Sequence, residues 1–139
     1  MMQNEILLAA SLVFIFGGVL VMYRIFGKTG LYCTTVIATI TANIEVLLLV
    51  DAYGMEQTLG NVLFAATFLV TDILSENYSK EDARKAVNIG IATSLSFILI
   101  SQSWLLYKPA AADWAHDSFV TIFSNTPRIM IVSLVVYAI

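Results

Sequence analysis

Asp72 and Glu76 are the residues whose type and spacing most plainly call for chemistry. They lie one helical turn apart near the end of the run NVLFAATFLVTDILSEN, with no proline or glycine to interrupt it. At about 100° per residue, Asn61, Ala65, Phe68, Asp72 and Glu76 fall on one stripe of a helix. An Asp at mid-depth in a bilayer costs roughly 2.5–3.5 kcal/mol on insertion scales, so such residues normally face a bundle interior or a wet cavity. The stripe is therefore expected to be a polar ligand site near one mouth of a helical bundle. The plainer alternative is a helix end rising into the headgroups, or an acid pair neutralised by Arg84 and Lys85 folding back.

The setting for that stripe is a membrane. The chain has 139 residues, 59% hydrophobic and 12% charged, with a mean hydropathy of +0.85. Soluble domains carry about 25% charged residues. The net charge of −3 and the lack of a basic cluster argue against nucleic acid as a partner. Cys33 stands alone and cannot form an internal disulfide. The N-terminal MMQNE lacks the positive region and small-residue cleavage signal of a secretory leader, so the first apolar run reads as a retained span. No phosphate-binding Gly-Lys-Ser/Thr loop is present, so the chain is not expected to hydrolyse ATP itself. His116 is alone where a zinc site needs several ligands, and no serine has a histidine partner for a triad. Asp72 and Glu76 as acid and base would lack the rest of a reaction centre. The expectation is a protein that is not an enzyme and needs no cofactor or metal.

The elements that must position the stripe follow in order. Residues 6–23 are charge-free and long enough to cross the roughly 30 Å hydrocarbon layer. Gly17-Gly18 within them marks a close helix contact or a kink. Arg24 and Lys28 end this span, with Gly27 and Gly30 in a short loop. A second span is expected over 31–50, with a small-residue face of Thr35, Ala38, Thr39 and Ala42. Asn43 and Glu45 are its polar anomalies, each either a ligand contact or a packing and interface group. An acidic loop, 51–58, leads to a third span over 59–78. Ser79 followed by Asp82 fits a helix cap, opening a fourth helix that spans over 87–107, with Ala86, Gly90 and Ser94 as a packing ridge. Gln102 and Trp104 approach the far interface, where an indole is at home. Residues 109–126 contain a short amphipathic segment, and Thr126-Pro127 starts a further helix. From Ile129 to Ile139 that helix gives only about 16 Å, half a crossing. The expected fold is an all-α membrane protein: a polytopic bundle of four full transmembrane helices plus a partial fifth. Residues 1–139 form a single integral membrane domain, truncated at its C-terminus. Lys and Arg cluster in the first and third loops, which are therefore expected to be cytoplasmic.

The sequence LGNVLFAATFLVTDILSENYSKEDARKAV, with FGKTG and ATITANI upstream and TPRI downstream, closely resembles the queuosine precursor transporter family, also called the vitamin uptake transporter family. Members of that family have six predicted helices, so this chain departs from them in its missing last spans. The resemblance implies uptake of the 7-deazaguanine bases preQ0 and preQ1 by a multi-pass protein of a prokaryotic plasma membrane. It also implies a fold like that of the substrate-binding subunits of energy-coupling-factor transporters.

The residue chemistry is compatible with such a guest. A guanine-like base presents adjacent N–H donors that a carboxylate accepts as a pair, and a carbonyl that suits an amide. Its flat ring suits an aromatic or apolar neighbour. Glu76 or Asp72 for the N–H edge, Asn43 or Asn61 for the carbonyl, and Phe68 for the ring would make a site. Arg128, at the start of the last helix, is either a gate and carboxylate partner or an interface anchor. The expected partners are a small-molecule nucleobase and the bilayer, with a second copy or a separate energy-coupling module left open. The alternative is a structural or adaptor subunit whose buried polar residues only hold helices together. Separating the two requires binding and packing effects to be measured on the same residues.

Overall fold

The computed structural model describes residues 2–138 of the chain. The first element, α1, is assigned over Met2–Glu45 but is broken at Gly27, whose φ of 57° and ψ of −137° are not helical. That backbone region strains any residue with a Cβ. The chain folds back there into two arms, 2–26 and 28–45. Val19 on the first arm and Leu31 on the second are both fully buried in one cluster, and Ile15 packs against Ala38 and Ala42. The expected loop at Gly27 is thus a tight reversal. Gly17 and Gly18 lie where α1 keeps helical backbone angles, and a Cβ added at either would meet nothing within 4 Å, so they mark neither a kink nor a close contact.

The helix of the second arm stops at Glu45, short of the span expected over 31–50. An antiparallel hairpin follows, β1 (Leu49–Ala52) and β2 (Met55–Thr58), with Leu49 opposite Thr58 and Ala52 opposite Met55. The paired strands replace the loop expected over 51–58, in a chain that is otherwise helical. The turn residues Tyr53 and Gly54 both have positive φ, 54° and 75°. Such a two-residue turn matches the twist of the paired strands. The hairpin is tied to the first turns of α1, where Asn4 Nδ2 donates to the Asp51 carbonyl (3.0 Å) and the Tyr53 N–H donates to Glu5 Oε1 (3.1 Å).

Helix α2 spans Gly60–Asn77, close to the expected third span, and buries Gly60, Leu63, Ala66, Thr67, Val70 and Leu74. Its small residues let backbones approach. A Cβ at Gly60 would lie 2.8 Å from the Ala42 carbonyl oxygen and 3.1 Å from the Val46 nitrogen. Neither is a side-chain end that can swing away, so Gly60→Ala is expected to cost about 1–3 kcal/mol, measured as a lower melting midpoint in detergent. Helix α3, Lys80–Trp104, opens on the anticipated cap, with the Asp82 N–H donating to Ser79 Oγ at 3.1 Å. Ala86 is fully buried in the cluster of Val19, Leu31, Ala66, Val70 and Leu74, and a Cβ at Gly90 would sit 3.5 Å from Thr39 Oγ1 on the second arm, so both residues serve packing.

The chain divides into two compact units, Met1–Gly90 and Ile91–Ile139, the division falling within α3. The second unit adds α4 (His116–Phe123), the expected amphipathic segment, and α5 (Thr126–Ala138), which starts at the expected Thr-Pro. Ile139 lies outside the described residues. Trp104 meets Phe97, Phe119 and Phe123 edge-on at centroid distances of 6.4, 6.0 and 5.5 Å, while Gln102 Nε2 donates to the Phe123 carbonyl (2.8 Å). Both residues thus help hold α4, beyond the interface role expected of them. Among the described residues, the helices over Gln3–Glu45 and Lys80–Trp104 are long and apolar enough to cross a membrane. The chain is a mostly helical membrane protein.

Candidate functional site

The face of α2 that packs inward is the small and aliphatic one, and this determines where the polar stripe goes. Asn61, Phe68, Asp72 and Glu76 are all exposed on the other side of the helix, with Phe68 58% exposed. Asn61 Oδ1 accepts from the Thr58 hydroxyl at 3.2 Å. Among the described residues the Asp72 and Glu76 carboxylates form no ion pair, and neither Arg84 nor Lys85 folds back onto them. Lys85 instead lies 5.4 Å above the Tyr32 ring. The two acids therefore share one helix face, as the spacing requires, but both are exposed among the described residues rather than enclosed.

Two further candidates are placed elsewhere. Asn43 is buried on the second arm of α1, its Nδ2 donating to the Thr39 carbonyl one turn back at 2.7 Å. Arg128 is exposed in the first turn of α5, within the second unit, with no ion pair among the described residues.

A polar hub absent from the sequence reading lies where the reversal of α1 meets the start of α3. Asp82 Oδ1 accepts from Lys28 Nζ (3.0 Å) and from the Tyr32 hydroxyl (2.8 Å), and Oδ2 accepts from the Ser79 hydroxyl (2.9 Å). Lys28 also lies 5.2 Å over the Tyr78 ring, and Tyr78 meets Tyr23 edge-on at 6.3 Å. One carboxylate thus joins residues 54 positions apart and gathers the two Lys- and Arg-rich turns at one end of the unit. Asp82→Ala removes three accepted bonds and orphans Lys28, whereas Asp82→Asn loses the charge and turns one of the two accepting oxygens into a donor. Melting in detergent is expected to fall for both variants, and further for the alanine.

Between the two arms of α1 and α2 runs a partly open groove of about 440 Å³, whose lining includes Ser11, Phe14, Gly18, Thr34, Thr41 and Glu45. A second cavity of about 300 Å³ toward the hairpin shares Ser11 and Glu45. Glu45 is half-buried, and its carboxylate has no partner among the described residues. Its position two residues after Asn43 was a visible signal in the sequence. Its placement between two cavities was not.

Comparison with known proteins gives these surfaces a context. A family model described as "Putative vitamin uptake transporter" matches residues 58–139. A protein of Bacillus subtilis (strain 168) named "Probable queuosine precursor transporter" is 40% identical over 119 residues, which cover 86% of this chain and 52% of that protein. The chain therefore spans about half the length of the curated relative it matches. No solved structure matches it.

Proposed function

The chain belongs to the vitamin uptake transporter family, and from that premise we propose that it imports queuosine precursors, the 7-deazaguanine bases preQ0 and preQ1. It does so as a multi-pass protein of a prokaryotic plasma membrane. The observation that carries the reading is the open face of α2. Asp72 and Glu76 stay clear of every basic side chain among the described residues while the opposite face is packed. A free carboxylate is a paired acceptor for the adjacent N–H groups of a guanine-like edge, and such charge-assisted bonds are about twice as strong as neutral ones. Asn61 supplies an amide for the ring carbonyl and Phe68 an aromatic face. In the working transporter further protein closes over this stripe, from a second copy or a separate energy-coupling module.

The two arms of α1, α2 and α3 make four crossings in this reading. The end carrying Arg24, Lys28, Lys80, Arg84 and Lys85 faces the cytoplasm under the positive-inside rule. The test is uptake of labelled preQ1 by Asp72→Asn and Glu76→Gln variants. Loss of uptake by correctly folded protein supports the importer, and undiminished uptake in both removes the α2 face from it.

A further inference from the structure

The groove between the arms of α1 and α2 has an unusual polar lining. Ser11 Oγ lies 2.9 Å from the Leu8 carbonyl, Thr34 Oγ1 2.8 Å from the Gly30 carbonyl, and Thr41 Oγ1 2.7 Å from the Ile37 carbonyl. A carbonyl can only accept, so each hydroxyl proton is committed to its own helix and only oxygen lone pairs remain for a guest. Glu45, when ionised, is likewise acceptor-only. The groove therefore offers hydrogen-bond acceptors, one negative charge and an aromatic edge from Phe14, with no side-chain donor left over. Its volume of about 440 Å³ falls in the range of about 300–1,000 Å³ usual for small-molecule sites.

We propose that this groove is a second ligand subsite, centred on Glu45, that takes a donor-rich heteroaromatic amine and selects a cationic guest over an uncharged, acceptor-bearing one. The inference rests on the importer reading and extends it, because the proposed substrates differ in this respect. The aminomethyl arm of preQ1 is an ammonium donor, whereas the nitrile of preQ0 can only accept. An acceptor-only groove satisfies the first and leaves the second facing lone pairs. A partnerless carboxylate beside apolar walls is also costly in a membrane until a cation or N–H donors reach it. Gly18 completes the arrangement: with nothing within 4 Å of its missing Cβ, it leaves room that a side chain would fill.

The test is equilibrium binding of preQ1 and of preQ0 to the purified full chain in detergent, for wild type, Glu45→Gln and Gly18→Leu. Glu45→Gln removes the charge and introduces a donor. Gly18→Leu blocks the groove while favouring the helix, so folding is not the weak point of both variants. The expected result is tighter wild-type binding of preQ1 than of preQ0. Each variant should lose about tenfold or more in preQ1 affinity, as for a lost hydrogen bond to a charged group, and Glu45→Gln should level the preference. Wild-type binding without that preference, or either variant binding preQ1 like wild type, overturns the subsite and leaves the importer reading intact. Wild type that binds neither base overturns the importer reading, and the subsite falls with it.

Discussion

Gly30→Val is expected to leave little correctly folded protein. A Cβ at Gly30 would run into the Met22 carbonyl, with the Met22 carbon 2.8 Å away and Phe26 Cβ 3.1 Å away. Two of these three atoms are backbone of the preceding arm, only a few residues from the reversal at Gly27, so neither arm can retreat without reopening the fold-back. Overpacking a well-packed core costs about 1–3 kcal/mol, and a rigid backbone contact belongs at or above the top of that range. Val19 and Leu31 would separate, and with them the cluster that also holds Ala66, Val70 and Leu74. The readout is the yield of monodisperse protein in detergent and its melting midpoint. Gly17→Ala is the matched control: its added methyl meets nothing within 4 Å, and alanine gains about 1 kcal/mol of helix propensity over glycine. A Gly30→Val protein that melts with the wild type would refute the packed hairpin.

The double variant Asp72→Asn/Glu76→Gln is expected to separate function from stability. Both side chains are exposed and form no ion pair among the described residues, so removing their charge should leave the melting midpoint within about 0.5 kcal/mol of wild type, as for surface substitutions generally. Uptake should behave differently. Each amide keeps the shape of the acid but turns one acceptor into a donor, which faces the N–H edge of the base with the wrong group. Losing one charge-assisted contact is worth about tenfold or more, and losing both should bring preQ1 uptake to background. Initial rates measured at matched membrane expression provide the comparison. Unchanged rates would assign the stripe to solubility or assembly, and a large drop in melting would assign it to packing.

How much of this was legible in the sequence depended on how local the cause was. The cap at Ser79, the bounds of α2, the reversal at Gly27 and the start of α5 at Thr126 depend on neighbours within a turn, and each was anticipated. The hairpin was missed because its acids suggested a solvated loop, and because it places Tyr53 at positive φ, where a bulky side chain is uncommon. The facing of α2 depends on a competition that spacing alone does not decide. The cost of exposing charge to lipid argued for turning the acids inward. The close approach permitted by Gly60 and Ala66 turned the aliphatic face inward instead. The bond from Lys28 to Asp82 joins positions no periodicity relates. Glu45 was visible as a charge within a span, but its accompanying acceptor-only lining depends on where three hydroxyl protons point.

The proposed activity is the movement of 7-deazaguanine bases across a membrane. The most direct measurement uses a bacterial strain that neither makes nor imports these bases, expresses the whole reading frame carrying these residues, and receives preQ1 in the medium. Queuosine in the tRNA is then quantified. The modification is expected to appear only when the protein is expressed, and to vanish with Asp72→Asn/Glu76→Gln. Unmodified tRNA in cells whose membranes contain the folded protein would contradict the account.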